Sequence, residues 1–202
     1  MGATALTLSA GIVGAGVRVA EATAPGPPLL DAPTRAAADH PRTDFRAPTA
    51  LRLTDQAGET FDLARYMDRG RPVLVTFAFA HCETVCPVLV KDVLDAQRIA
   101  DEDPETDRPA VVVVTVDPWR DTPSRLPHVA MQWGLDEDAH VLSGSVDDVL
   151  ETLRAWEVSI SRDELTGEIT HPAVVYVIDR LGRVAFTATG GGEYTAGLVG
   201  RL

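Results

Sequence analysis

The chain has 202 residues, of which 45% are hydrophobic, and this is enough for one folded domain with a buried core. Its 30 acidic residues against 18 basic ones give a formal net charge of −12, so nucleic acid is not expected as a partner. Two cysteines exclude a disulfide-framework scaffold and a four-cysteine metal site, but they allow a two-cysteine redox or metal site.

Residues 1–24 are predicted to be a signal peptide or an uncleaved membrane anchor. Residues 1–17 carry no charge and are rich in Ala, Gly, Leu and Val, although this length is at the lower limit for a membrane-spanning helix. Small-x-small motifs typical of cleavage sites end at Ala22 and Ala24. Residues 25–49 contain six prolines and are predicted to form an extended linker. We therefore expect residues 50–202 to form an extracytoplasmic domain; the alternative is a floppy apolar N-terminus on a cytosolic protein.

Residues 50–202 are predicted to alternate between strands and helices. In chain order we first expect a β-hairpin turning at Asp55–Gly58, a buried strand at 73–79, a helix at 88–100 and a buried strand at 110–116. After these we expect a helix from Asp121 to Gly134, a short strand at 140–142, a helix capped by Ser145 and Asp148, and strands at 173–179 and 184–188. This order predicts an α/β fold with a mainly parallel central sheet, an antiparallel edge and flanking helices. Gly190-Gly-Gly is interpreted as a flexible turn.

Cys82 and Cys86 fall between the first buried strand and its helix. Loops at the carboxyl ends of parallel strands are where α/β proteins place their chemistry. Because the dipole of a helix N-terminus favours thiolate, both sulfurs are expected to ionise more readily than a free cysteine. Two thiolates four positions apart can close a disulfide or bind one soft ion, Cu(I) or Zn. Thioredoxin-like redox motifs usually have two residues between the cysteines, whereas this segment has three.

A metal bound by two cysteines needs a further ligand, and the chain has five histidines: His40, His81, His128, His140 and His171. The first lies in the linker, the third in a helix and the fourth at the start of a strand, where ordinary surface or structural roles are expected. His81 adjoins Cys82, and neighbouring side chains tend to diverge. His171 lies in a loop before a buried strand and is the strongest candidate; the alternative is a capping or surface histidine.

Three blocks of residues resemble the Sco family. They are Ala80-His-Cys-Glu-Thr-Val-Cys-Pro87, Thr115-Val-Asp-Pro-Trp-Arg-Asp-Thr-Pro123, and Thr170-His171 followed by Val175-Tyr-Val-Ile-Asp-Arg180 and Gly182-Arg183. The blocks come in the family's order and spacing and cover most of residues 50–189. Their combination is specific, although any one block alone would be weak.

The resemblance implies a thioredoxin-like fold, often tethered to a membrane, that delivers copper to the dinuclear CuA centre of cytochrome c oxidase. It assigns copper, as Cu(I) or Cu(II), to Cys82, Cys86 and His171, and it places Asp117 near the metal as a second-sphere residue. The implied partners are a copper-accepting oxidase subunit or another copper protein, together with a thiol reductant that reopens a Cys82–Cys86 disulfide.

This sequence departs from the family's pattern at three places. Pro172 stands where the family often has Ser, which leaves the ligand side chain in place but is expected to alter its approach. Glu83-Thr84 replaces a commoner Pro-Asp. Residues 193–202 allow at most a small final helix, where the family usually has a longer one.

The leading hypothesis is an extracytoplasmic copper metallochaperone, not an enzyme in the ordinary sense. The enzymatic alternative is a thiol–disulfide oxidoreductase acting on the cysteines of a copper protein, in which Cys82 attacks and Cys86 resolves a mixed disulfide. That alternative does not need His171. A peroxide-reducing thiol enzyme would need a peroxide pocket, which the sequence does not identify, and a metal-free interaction domain is the remaining possibility.

Overall fold

The computed structural model describes residues 2, 45–50, 52–68 and 70–202. The predicted signal or anchor segment, residues 1–24, lies outside the described residues except for Gly2, as does the predicted linker up to residue 44. No helix within the described ranges is long and apolar enough to span a bilayer.

The elements alternate much as the sequence predicts. The helices in the described residues are α1 (Leu63–Asp68), α2 (Val85–Glu102), α3 (Leu126–Trp133), α4 (Val146–Ala155) and α5 (Gly192–Val199), with a 3-10 helix at Pro123–Arg125. The strands there are β1 (Val73–Ala78), β2 (Ala110–Thr115), β3 (Ala139–Leu142), β4 (Ser161–Arg162), β5 (Ile169–Thr170), β6 (Val175–Ile178) and β7 (Val184–Ala188). Helix α1 and the β4–β5 hairpin are absent from the sequence-based prediction.

Five strands form the central sheet, in the order β3-β2-β1-β6-β7. Strand β1 pairs in parallel with β2, and β2 with β3, whereas β6 runs antiparallel to both β1 and β7. Strands β4 and β5 form a separate antiparallel pair. This arrangement confirms the predicted α/β fold with parallel central strands and an antiparallel edge, although the sheet is mixed, with two parallel and two antiparallel pairings.

The core lies on both faces of β1 and β2, in which every residue is buried. Parallel central strands are covered by helices on both sides, and this explains why their sequences are continuous runs of apolar, mostly β-branched residues. Phe77 in β1 makes edge-to-face contacts with Trp156 and Tyr176, with ring centroids 6.0 and 5.9 Å apart. The Tyr176 hydroxyl donates to the Trp156 carbonyl at 2.9 Å, so the polar group of this buried side chain is satisfied.

The predicted N-terminal hairpin is present as a tight turn with little regular pairing. The Asp55 carboxylate accepts the backbone N–H groups of Ala57 and Glu59, and the Phe61 N–H donates to the Leu53 carbonyl at 2.9 Å. Thr54 forms isolated bridges, one across the turn to Thr60 and one to Ser143 after β3. The latter bridge fastens the turn to the edge of the sheet.

Phe45, near the end of the segment predicted to be a linker, lies against the domain. Its ring is 6.4 Å from that of Trp156 and 6.3 Å from that of Tyr176. The Ala47 N–H also donates to the Gly182 carbonyl at 3.0 Å in the β6–β7 turn. Residues 45–47 therefore contact the core of the domain.

The triple glycine at 190–192 permits close packing of α5 on α2. A Cβ on Gly190 would lie 2.9 Å from the Asp92 carboxylate, and a Cβ on Gly192 would lie 2.7 Å from the Asp95 Cβ. The Gly191 N–H donates to the Asp92 carboxylate. The interpretation as a flexible turn is thus incomplete, because these residues are small where two helices meet.

Candidate metal centre

Cys82 lies in the loop between β1 and α2, with its sulfur against the N-terminus of the helix. The Cys82 sulfur accepts the backbone N–H of Cys86 at 3.3 Å, and the Cys82 N–H donates to the Phe79 carbonyl at 3.2 Å. The first N–H groups of a helix have no partner within the helix, so this sulfur takes the place of a capping oxygen. Helix α2 begins at Val85, three residues before the helix predicted at 88–100.

Cys86 and His171 lie close together beyond the carboxyl end of β1 and the amino end of β6. Cys86 is buried with 1% exposure, and its sulfur lies 3.7 Å from Nε2 of His171. Nδ1 of His171 is 3.1 Å from the Pro172 carbonyl, which can only accept, so Nδ1 carries the proton. The neutral ring therefore presents the lone pair of Nε2 to the Cys86 sulfur. The backbone carbonyl of Pro172, one of the residues that depart from the family pattern, is thus the acceptor that orients this ring.

The pKa values of the two thiols are shifted in opposite directions. Burial opposes ionisation of Cys82, but hydrogen bonds from the Cys86 thiol and from the backbone N–H groups of Cys86, Thr84 and Val85 outweigh it and lower the pKa of Cys82. Burial, together with the neighbouring Cys82 sulfur and the charge of Asp121, raises the pKa of Cys86 to about 12. The expectation that both sulfurs ionise readily is therefore wrong for Cys86, because the energetic penalty of burial exceeds the effect of the helix N-terminus.

His171 is a poor base in this setting. Burial lowers its pKa, and the hydrogen bond to the Pro172 carbonyl compensates only in part. The imidazole is consequently neutral near pH 7, the form in which a histidine binds a metal. The Phe79 ring packs edge to face against it, with centroids 5.9 Å apart.

Asp117 reaches the site through its contact with Arg120. Its side chain is fully buried and is ion-paired with Arg120, whose guanidinium carbon lies 5.8 Å from the centroid of the Phe79 ring. The predicted position of Asp117 near the site stays a prediction; the contacts reach His171 through Arg120 and Phe79.

Asp121, predicted as the start of a helix, instead precedes the 3-10 helix at Pro123–Arg125 and is a buried carboxylate. One of its oxygens accepts the Ala80 N–H and the Thr115 hydroxyl, each at 2.9 Å, and the other has no hydrogen-bond partner among the described residues. Burial raises its pKa, and these two hydrogen bonds oppose the rise. Its place within the family-like block Thr115–Pro123 is the signal that points to it.

The remaining histidines take the structural or surface roles expected of them where they are described. His81 and His128 are exposed, and His140 in β3 is buried with Nε2 2.6 Å from the Tyr66 hydroxyl. His40 lies outside the described residues.

The three predicted ligands lie together but do not form a closed site. Among the described residues, no group of three or more His, Cys, Asp or Glu side chains is already close enough to hold a metal ion. Two sulfurs and a neutral imidazole nitrogen nevertheless form the donor set that suits a soft or borderline ion. Binding by all three requires a local rearrangement of at least one side chain.

A family model described as SCO1/SenC matches residues 40–196. The chain belongs to the SCO1/SenC family. The chain is 28% identical to the SCO2-like protein of Rickettsia prowazekii over 138 residues, which are 65% of this chain and 63% of that one. It is 29% identical to the mitochondrial SCO2 homologue of Danio rerio over 54% of this chain and 40% of the relative. The chain therefore spans less than two thirds of the length of these relatives.

Solved structures of SCO proteins share the fold. Bradyrhizobium japonicum ScoI with copper bound has a TM-score of 0.61 and 26% identity over 75% of this chain and 96% of its own. A SCO1/SenC family lipoprotein from Bacillus anthracis has a TM-score of 0.64 and 25% identity over 74% of this chain and 90% of its own. The thioredoxin-like fold implied by the sequence resemblance is thus confirmed.

Proposed function

We propose that this protein binds one copper ion through Cys82, Cys86 and His171 and passes it to a copper protein. The observation that carries the proposal is the 3.7 Å approach of the Cys86 sulfur to Nε2 of His171, with Nδ1 held as the donor to Pro172. Thiolates suit Cu(I), and the neutral imidazole extends the site to Cu(II). Copper is the cargo here, so it must be held and then released.

The proposed acceptor is the CuA site of a cytochrome c oxidase subunit. Family membership and the resemblance of the three sequence blocks support this choice, as does a copper-bound ScoI that is 26% identical to this chain. Exposed apolar side chains at the start of α2, Val85 and Val88, lie within two residues of Cys86 in the sequence and are available to a docking protein.

We place the domain outside the cytoplasm, anchored or exported through residues 1–24. The apolar, uncharged start and the proline-rich segment support this location, and one SCO1/SenC relative of known structure is a lipoprotein. A reporter enzyme that works only after export, fused behind Leu202, should be active. A silent fusion at normal protein level would contradict the location.

Copper titration of the reduced full-length chain, followed by native mass spectrometry, tests the binding site. We expect one copper per chain. We also expect Cys82→Ser or Cys86→Ser to weaken Cu(I) binding by more than the roughly 10- to 100-fold loss of affinity that follows when a residue outside the ligand set is changed. His171→Ala should retain Cu(I) but weaken Cu(II). His128→Ala, which alters an exposed histidine on α3, is the matched control. Unchanged Cu(II) binding in His171→Ala would contradict the ligand assignment.

A thiol–disulfide oxidoreductase is the second candidate, and the unequal acidity of the thiols favours it. A half-exposed Cys82 of lowered pKa is suited to attack a disulfide, and the buried Cys86 is suited to resolve the mixed disulfide. Insulin-disulfide reduction by wild type and His171→Ala, alongside oxidase activity in cells, separates the two candidates. Strong reductase activity in both, with normal oxidase activity, would favour the enzyme.

A further inference from the structure

Arg120 connects three parts of the molecule that surround His171. Its Nε donates to the Asp117 carboxylate, and one terminal nitrogen donates to the Gly167 carbonyl at 2.9 Å. Its guanidinium lies over the face of the Phe79 ring, whose edge-to-face partner is His171. One side chain therefore contacts the segment after β2, the β4–β5 hairpin and the end of β1.

The direction of the Arg120 side chain is fixed by a buried charge. The Asp117 side chain has no exposed surface, and one of its oxygens has no hydrogen-bond partner among the described residues. A carboxylate this deeply buried needs a paired cation, because an uncompensated charge in the interior is strongly destabilising. Arg120, which is about one third exposed at 32%, is that cation. The pair holds the guanidinium where it also reaches Gly167.

The β4–β5 hairpin is too small to hold its own position. Each strand has two residues, and an isolated two-stranded hairpin is at best marginally stable in water. Its contacts with the rest of the domain include the hydrogen bond from Arg120 to the Gly167 carbonyl. They also include the guanidinium of Arg162, which lies 4.8 Å from the centroid of the Trp119 ring. His171 follows β5 directly, so the hairpin constrains where the histidine lies.

We infer that Arg120 is a positioning residue that fixes His171 against Cys86 by anchoring the β4–β5 hairpin and the Phe79 ring, and that Asp117 acts through it. This inference rests on the proposed role of His171 as a copper ligand. It gives a structural reason for Asp117, whose buried carboxylate is ion-paired with Arg120.

Arg120→Lys is the test variant, because lysine keeps the charge beside Asp117 but lacks the planar fork that serves two acceptors at once. Arg183→Lys is the matched control, since Arg183 also pairs with an aspartate, Asp179 at 2.8 Å, in the β6–β7 turn at the other end of the sheet. Should Arg120→Lys fail to fold, the uncharged pair Asp117→Asn with Arg120→Gln removes the same anchor without leaving a buried charge unpaired.

We expect Arg120→Lys to weaken Cu(II) binding about tenfold or more and to change the Cu(II) absorption and EPR spectra, while Cu(I) affinity is unchanged. In the metal-free protein, amide hydrogen exchange at Gly167 and Glu168 should be faster than in Arg183→Lys. Adding Arg120→Lys to His171→Ala should produce no further loss of Cu(II) affinity, because both changes act on one ligand.

The possible results separate the inference from the proposed function. The inference is overturned if Arg120→Lys equals Arg183→Lys in both Cu(II) binding and amide hydrogen exchange. It is also overturned if the double variant shows a further loss of Cu(II) affinity. If His171→Ala binds Cu(II) as wild type does, the proposed ligand set fails, and the inference fails with it. Loss in His171→Ala without loss in Arg120→Lys leaves the proposed function intact and removes only the inference.

Discussion

The sulfur of Cys86 lies 3.7 Å from Nε2 of His171, although 85 residues separate the two in the chain. Their approach follows from the antiparallel pairing of β1 with β6, in which Thr76 lies opposite Val175. Cys86 follows the carboxyl end of β1, and His171 precedes the amino end of β6. The two segments therefore meet at the same end of these neighbouring strands.

The unequal acidity of the thiols predicts selective alkylation. At pH 7 and limiting iodoacetamide, Cys82 should react before Cys86, because its pKa is lowered and its side chain is half-buried, whereas Cys86 is buried with a pKa of about 12. Peptide mass spectrometry of the reduced, metal-free protein measures both sites. Equal labelling of the two cysteines would contradict the described environments; unfolding in urea should equalise them and serves as the control.

Oxidation and copper should compete for the same two sulfurs. A Cys82–Cys86 disulfide leaves no thiolate for the metal, so we expect oxidised protein to lose copper binding and reduction to restore it. Bound copper should in turn protect both cysteines from alkylation. Native mass spectrometry before and after mild oxidation checks the first effect, and copper retained by the oxidised chain would disprove the competition.

Asp121→Asn should change how the stability of the fold depends on pH. Burial raises the folded-state pKa of Asp121 above its unfolded value of about 3.9, so the folded state binds more protons and wild type loses stability as pH rises through this interval. The asparagine variant lacks this loss. Its free energy of unfolding relative to wild type should become more favourable between pH 3 and pH 7, as measured by urea denaturation.

Asp138→Asn is the control for the Asp121 experiment, because folding lowers the pKa of Asp138 whereas it raises that of Asp121. The hydrogen bond from Arg71 lowers the pKa of Asp138, so its contribution is present above the unfolded pKa and is lost as pH falls through the folded value. Its removal should therefore cost more stability at pH 7 than at pH 3. The same pH trend in both variants would contradict the assigned environments.

The packing of α5 on α2 predicts opposite effects at two glycines. Gly192→Ala should destabilise the fold by about 1–3 kcal/mol, because the new Cβ would lie 2.7 Å from the Asp95 Cβ. Gly197→Ala has open space and should be neutral or stabilise the helix by up to about 1 kcal/mol. Thermal unfolding of both variants checks the pair, and equal destabilisation would show that the close contact is not what matters.

The sequence by itself determined the order of the main strands and helices, because continuous apolar runs and helical spacing are local signals. It also singled out the side chains that we propose as copper ligands, since Cys82, Cys86 and His171 stand in family-like blocks. The fold and family follow from that pattern and agree with the structure. Asp121 was visible in the sequence only as a helix start within one of these blocks.

Only the tertiary structure decided how these residues behave. Strand pairing between β1 and β6 brings His171 to Cys86, and no local periodicity encodes a contact across 85 residues. The burial of Cys86 then raises its pKa, reversing the effect expected at a helix N-terminus. The β4–β5 hairpin and its anchor Arg120 depend equally on long-range contacts, because two-residue strands leave no detectable pattern in the sequence. Chemical identity is thus local, whereas acidity and position depend on what the fold places around each group.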